Sequence, residues 1–460
     1  MQACRYRMPH KSIGVIAVVA LSLVGASMTP ARAARDAAAE RFWAQWRGPF
    51  ANGTSRTAKP PIEWSETKNI KWKVEVPGRG AASPVVWGDR VYVLTAVAVG
   101  LGREEAHAAR GGIEPRHIYR FTTMALDRRD GRVAWERVST EERPHESTHI
   151  INGTWASSSA ATDGEVIIAH FESRGMYAYD MNGKLLWQQR FGEKAILSES
   201  GEGTTPALYG NHVVLVWDQS QGGSFIVVLD KRTGKEVWRA SRDEADTWPT
   251  PLIVEHDGRV QVITSGWGSI QAYDLETGKV IWHTSGLTPL PIPSPVAEDG
   301  IVVAMSGGNS GSRLKAIRLA EAKGDITGTS AIAWTLDRDT PYAGSPLLFD
   351  GLLYFVKSNS GLLSVFDAKT GTPHYRLQRL VDVPNVYASP VGADGRVYIA
   401  GADGATLVIR HGPKFEVLAT NTLDDGFTAS PALVDNEIYL RGNKHLYCIA
   451  DQGANARRPQ

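Results

Sequence analysis

A two-residue anchor that keeps returning along the chain restricts the possible folds more than any other feature. Ser83-Pro84, Thr205-Pro206, Thr250-Pro251, Ser294-Pro295, Ser345-Pro346, Ser389-Pro390 and Ser430-Pro431 each open a short β-rich run, and Ser159-Ala160 fills the one gap as a degenerate copy. From Ser159 onward the steps are 46, 45, 44, 51, 44 and 41 residues. That is the period of a four-stranded propeller blade, and it overrules the two or three domains that chain length alone would suggest.

Each unit has the same internal order. A strand follows the anchor, then a Gly-Asp or Asp-Gly turn such as Gly88-Asp89, Asp163-Gly164 or Asp394-Gly395, then an alternating strand such as Arg90 to Leu94. A third strand ends in Asp and a tight turn closed by Gly: Asp230 to Gly234, Asp274 to Gly278, Asp367 to Gly371. Asp accepts main-chain N–H groups across such a turn, and Gly supplies the positive φ that other residues resist. The fourth strand carries Trp135, Trp187, Trp238, Trp282 and Trp334, with Tyr375 and Leu418 at the equivalent places. An aromatic repeated at one offset from the turn Gly reads as packing between blades rather than as a cofactor-stacking residue.

The last unit, Ser430 to Ala450, has three strands and no fourth. The missing strand and its Trp lie at the other end, in Asn69 to Val74. An N-terminal strand completing the C-terminal blade removes an exposed sheet edge. The predicted fold class is therefore all-β, an eight-bladed β-propeller of four-stranded antiparallel blades. The predicted division is a signal peptide over 1–33, an N-terminal extension over 34–68, the propeller over 69–450 and a polar tail over 451–460.

Arg5, Arg7 and Lys11 precede a short apolar run from Ile13 to Val24, and Ala31-Arg32-Ala33 offers small residues where a signal peptidase reads. The run is too short for the roughly 20 residues that cross a bilayer. Cleavage near Ala33 and a periplasmic or secreted location are expected. Losing Arg5, Arg7, Lys11 and Arg32 takes the formal charge from +1 to −3. A near-balanced charge excludes a nucleic-acid footprint or a polybasic membrane surface. Cys4 leaves with the signal and is wrongly placed for lipidation. Cys448 then stands alone in the strand Leu446 to Ile449, where it reads as a small core residue.

The Asp-x-x-Thr-Gly-x-x-x-Trp unit resembles the pyrroloquinoline-quinone-type propeller repeat. That repeat is shared by quinoprotein alcohol dehydrogenases and by the non-catalytic outer-membrane assembly factor BamB family. The resemblance spans about residues 43 to 450. Trp43-Ala44-Gln45-Trp46-Arg47-Gly48-Pro49 and Phe415 to Asn421 are similar to exported members of the group. It implies a fold more firmly than a task, because one propeller hosts many functions.

In an up-and-down blade the loop between strands two and three shares a face with the link to the next blade. That face gathers Trp155, Arg174, Asp218, Trp248, Trp267, Asn309, Asn359, Tyr387, Asp403 and Arg441. Aromatics mixed with amides, carboxylates and arginines suit recognition of a polar ligand or peptide segment. A solvated rim of turn-forming residues is the plainer reading. No catalytic or metal residue is assigned and no cofactor is predicted; a monomer binding a protein or another cell-envelope component is expected.

The resemblance also implies an alternative, a dehydrogenase using pyrroloquinoline quinone with calcium. Such enzymes hold the quinone over a Trp, coordinate calcium through a carboxylate and an amide, and use an Asp base. Asp218, Asp403, Asn309 and Trp267 have the right chemistry, but no spacing selects them. One cysteine cannot form the adjacent-cysteine ring many of those enzymes carry, and no haem-attachment motif is present. His145-Glu146-Ser147-Thr148-His149 matches the zinc-hydrolase pattern H-E-x-x-H, which needs a helix to bring both imidazoles onto one metal. Pro144 before it and β-branched Ile150-Ile151 after it favour a loop. Two insertions, Val99 to His117 and Thr140 to Thr154, lengthen the first unit; loops of this kind often bind partners.

Overall fold

The repeat folds as its period demands. The computed structural model describes residues 39–101, 117–149, 153–197, 200–308 and 311–451. The expected signal peptide at 1–33 lies outside them, as do Asn309, most of the Val99–His117 insertion and the end of the tail.

Eight antiparallel sheets surround one axis. Blade 3 shows the pattern: Ala207–Tyr209, His212–Trp217, Ser224–Asp230 and Glu236–Arg242 run in chain order from axis to rim. The two middle strands are almost wholly buried, because blades pack on both of their faces. The outer strand is mostly exposed and carries the charged residues.

The expected packing role of the tryptophans holds in detail. Each indole N–H donates to the carbonyl that follows the turn Asp of the next blade: Trp72 to Arg128 (3.0 Å), Trp135 to Met181 (3.1 Å), Trp187 to Lys231 (2.8 Å), Trp238 to Leu275 (2.7 Å) and Trp334 to Ala368 (2.8 Å). The ring lies on that blade's turn glycine. At Gly234, where φ is +69°, a Cβ would stand 2.6 Å from the Trp187 ring, so both the turn and the ring require glycine. Trp282 departs from the rule. Blade 5 lacks the Asp-Thr-Gly turn, and Trp282 instead donates to the Gln261 side chain (2.9 Å) while Gly324–Asp325 pairs with its strand and covers the blade 4 edge.

Blade 8 closes as the sequence predicts. Ile70–Glu75 pairs antiparallel with His445–Ala450, setting Trp72 opposite Cys448. Four charges lock the seam between blades 8 and 1. Lys71 Nζ and Arg128 Nε each reach Glu437 at 2.6 Å, and Arg128 Nη2 reaches Asp435 at 2.7 Å. Cys448 is buried, and burial pushes its thiol pKa up, so it stays an unreactive core residue. Among the described residues, no helix is long and apolar enough to cross a membrane.

Candidate functional site: an axial cup

The anchors form more than strand starts. Their hydroxyls make a belt around the axis, seven of the eight accepting the N–H of the counterpart in the preceding blade; Thr250 Oγ1 makes no such bond among the described residues. Ser430 N–H donates to Ser83 Oγ (3.0 Å), Ser83 to Ser159 (2.9 Å) and Ser159 to Thr205 (3.0 Å). Thr250 donates to Ser294 (2.8 Å), Ser294 to Ser345, Ser345 to Ser389 and Ser389 to Ser430 (2.9 Å each). The proline that usually follows has no N–H, so no further donor needs a partner at that step. Each of the seven accepting oxygens thus spends one lone pair, and its hydrogen has no acceptor among the described residues.

The segment Trp43 to Ser55 crosses the axis and plugs the channel. Its carbonyls accept from Val86 (2.9 Å), Thr162 (2.8 Å), Leu348 (3.2 Å) and Gly392 (2.9 Å), which belong to blades 1, 2, 6 and 7. Thr54–Ser55 adds a parallel pairing to the innermost strand of blade 7. Arg47 is buried and donates to the carbonyls of Pro390 (2.7 Å), Pro346 (2.6 Å) and Asn52 (3.2 Å). Burial without a carboxylate partner brings its pKa down to about 9, so it remains cationic at neutral pH.

Belt and plug enclose a cup of about 260 Å³. Trp46, from the plug, contributes to its lining, as do the belt residues Ser83, Thr205, Thr250, Ser389 and Ser430. Its walls include Trp248, Tyr342 and Tyr387, each half-buried, with Leu197, Leu290 and Ile292 between them. The Trp248 indole is fixed by a hydrogen bond to the Gly201 carbonyl (2.7 Å). The loop after Thr140 contributes Thr148, His149 and Thr154.

Charge is scarce on this lining. Among the described residues, Glu202 and His149 are the acidic and imidazole side chains of the lining, beside the phenols of Tyr342 and Tyr387. Arg174, itself buried, holds Glu202 at 3.0 Å and Glu172 at 3.2 Å. Several buried polar atoms on this side have no hydrogen-bond partner among the described residues: Thr148 Oγ1, His149 Nδ1, His170 Nε2, Thr204 Oγ1 and Asp246 Oδ1. Such atoms are costly unless water or a ligand completes them.

Behind the wall, Glu172 sits at φ +61°, a left-handed conformation rare for a non-glycine residue. Burial pushes its carboxyl up to about 7, with Glu202 adding repulsion and Arg174, Lys194 and the Ser158 hydroxyl opposing. A raised folded pKa gives stability that is present below the unfolded value and lost as pH rises. The native state should therefore weaken between about pH 4.5 and 7. Glu172→Gln is expected to remove that loss, gaining on the parent by at most on the order of 3 kcal/mol between pH 5 and 8. Urea titrations at both pH values check this; a pH-independent difference between the two proteins would refute it.

The structure brings few of the face residues together. Trp248 and Tyr387 line the cup. Asn359 supports it, since its side chain accepts from Ala343 (3.1 Å) and its carbonyl from Val386 (2.9 Å), next to Tyr342 and Tyr387. Four others are buried in the scaffold rather than solvated on a rim. Trp155 packs on Tyr119 at 4.5 Å and donates to the Glu146 carbonyl. Arg174 holds its two glutamates. Asp218 takes a two-pronged pair from Arg242 (2.7 and 3.0 Å) and the Thr247 hydroxyl (2.7 Å). Arg441 donates to the Leu94 carbonyl, and burial lowers its pKa to about 9. Trp267 stands outside the cup with its N–H on Glu244, Asp403 is an exposed acceptor for Asn385 (3.0 Å), and Asn309 lies outside the described residues.

His145, Glu146 and His149 lie in a loop rather than on a helix. His145 Nε2 contacts the Lys194 carbonyl (2.9 Å), and the Glu146 carboxylate accepts the Ile196 N–H (3.0 Å). Sequence reasoning missed Trp46 and the belt as cup residues. The belt was visible only as a repeat marker, and nothing periodic distinguishes Trp46.

The fold and this axial site define a β-propeller of the pyrroloquinoline-quinone repeat type. The family model for outer membrane protein assembly factor BamB matches residues 62–221 and 177–325, more than half of the chain. The chain belongs to that family. Similar solved structures include BamB from Moraxella catarrhalis, at 13% identity and TM-score 0.53, covering 83% of this chain and 97% of that one. A quinohemoprotein alcohol dehydrogenase from Comamonas testosteroni is also similar, at 13% identity and TM-score 0.61, covering 93% and 85%. These likenesses establish the fold alone. A tetrathionate hydrolase from Acidithiobacillus ferrooxidans is 23% identical over 243 residues, 49% of this chain. The match spans only 44% of that relative's length.

Proposed function

We propose that the protein is a non-enzymatic binding protein of the bacterial cell envelope, exported to the periplasm, with its binding surface centred on the axial cup. The observation that carries this reading is the cup itself, with rigid aromatic walls, a hydroxyl belt and incompletely paired polar atoms, but few titratable groups. The raised carboxyl of Glu172 is buried behind the wall and outside the lining, so acid–base chemistry lacks an array of groups at the site. The BamB-like fold supports an envelope role and a protein or other envelope component as partner.

The dehydrogenase reading draws support from the quinoprotein neighbours, yet the residues present do not fit the cofactor. Pyrroloquinoline quinone carries three carboxylates, and no Arg or Lys is among the described lining residues. Arg47 is committed to main-chain carbonyls, while Asp218 and Asp403 belong to different blades, the first already paired with Arg242. Calorimetric titration of the purified protein with the quinone and calcium is expected to give no saturable heat at high micromolar quinone. Stoichiometric binding would overturn the binding-protein reading and turn attention to alcohol oxidation.

A further inference from the structure

Resting on the binding-protein reading, we propose that the cup takes a neutral, hydroxyl-rich ligand, a sugar unit seated against its aromatic walls. A sugar ring offers apolar C–H faces and an edge of hydroxyls that both donate and accept. The cup offers the complement of each. Trp46, Trp248, Tyr342 and Tyr387 are half-buried, so part of each aromatic side chain remains accessible. Their stiff rings bury apolar area at little entropic cost.

The polar complement comes from the belt. On the lining, the hydroxyls of Ser83, Thr205, Ser389 and Ser430 each keep a hydrogen to donate and a lone pair to accept after their main-chain bond. The hydroxyls of Tyr342 and Tyr387 make no hydrogen bond among the described residues. Thr148 Oγ1, on the same lining, is buried without a partner among the described residues.

Charge decides against other classes. An anion finds no cation on the described lining. A cation finds Glu202 already held by Arg174 at 3.0 Å. Neutral and amphoteric is what remains. A site of about 260 Å³ is just below the usual range of roughly 300 Å³ and upward for small-molecule pockets, so it suits one or two rings.

The test is tryptophan fluorescence and calorimetry on the full chain, titrated to tens of millimolar with glucose, N-acetylglucosamine, maltose and cellobiose. Choline chloride and pyrroloquinoline quinone serve as charged probes. At least one sugar is expected to bind saturably, with affinity falling about tenfold in Trp248→Ala. Tyr387→Phe, which removes only a hydroxyl, should weaken the same sugar by a few fold with an unchanged melting temperature. Binding of a charged probe in the cup with no response to any sugar would overturn the sugar class and leave the cup as the binding site. No response to any probe, with a partner protein binding equally to the parent and to Trp248→Ala, would overturn both.

Discussion

Trp72→Ala is expected to destabilise the protein by about 3–5 kcal/mol, the usual cost of emptying a buried tryptophan site. Trp72 is 7% exposed, stacks at a tilt on Tyr439 at 5.9 Å, covers Gly131 of blade 1 and donates to the Arg128 carbonyl. Its strand is the only one in blade 8 that comes from the other end of the chain. Local cavity cost and loss of ring closure therefore coincide at one residue. The comparison that isolates closure is Trp238→Ala, whose blade stays joined to both neighbours through continuous chain. Thermal and urea midpoints should fall further for Trp72→Ala, and Lys71→Ala or Glu437→Gln should add to it. Equal losses at Trp72 and Trp238 would mean that the closing strand holds no special share of stability.

Arg47→Met should have the second-largest effect. It strips the guanidinium from the carbonyls of Pro346 and Pro390, at the inner edges of blades 6 and 7. Each carbonyl left buried and unpaired costs about 1–3 kcal/mol, only partly offset by no longer burying a cation. Lysine is a poor substitute, because a single ammonium cannot reproduce the fork that spans both carbonyls. Arg47→Lys is thus expected to recover only part of the loss. Hydrogen exchange should show the segment 43–55 opening first in both variants. A fully stable Arg47→Met, with the plug still protected, would show that main-chain pairing alone holds it.

Much of the scaffold was legible because it repeats. The step between anchors gave the blade count, the offset of tryptophan from the turn glycine gave its packing role between blades, and the missing last strand pointed to Asn69 to Val74. What was not legible depends on residues far apart in sequence. Arg174 and Asp218 read as rim residues because loop position assigns a face but says nothing of burial; Glu202 and Arg242, their partners, come from other strands or the next blade junction. Trp282 kept the repeat's residue but not its role, since the neighbouring turn had changed. Trp46 and Arg47 sit in an aperiodic stretch, so only the assembled ring reveals that they reach the axis.

The plug and the shared last blade also set the order in which this molecule can mature. Blades 1 to 6 can nucleate progressively as chain emerges, each on the one before. The ring cannot be finished that way, because Ile70–Glu75 waits for His445–Ala450 and the plug waits for blades 6 and 7. These late contacts span most of the sequence and make the final step slow relative to the local hairpins. Until then every growing chain is an open crescent with a raw apolar flank at each end, the state most in need of chaperones and most prone to join a second copy.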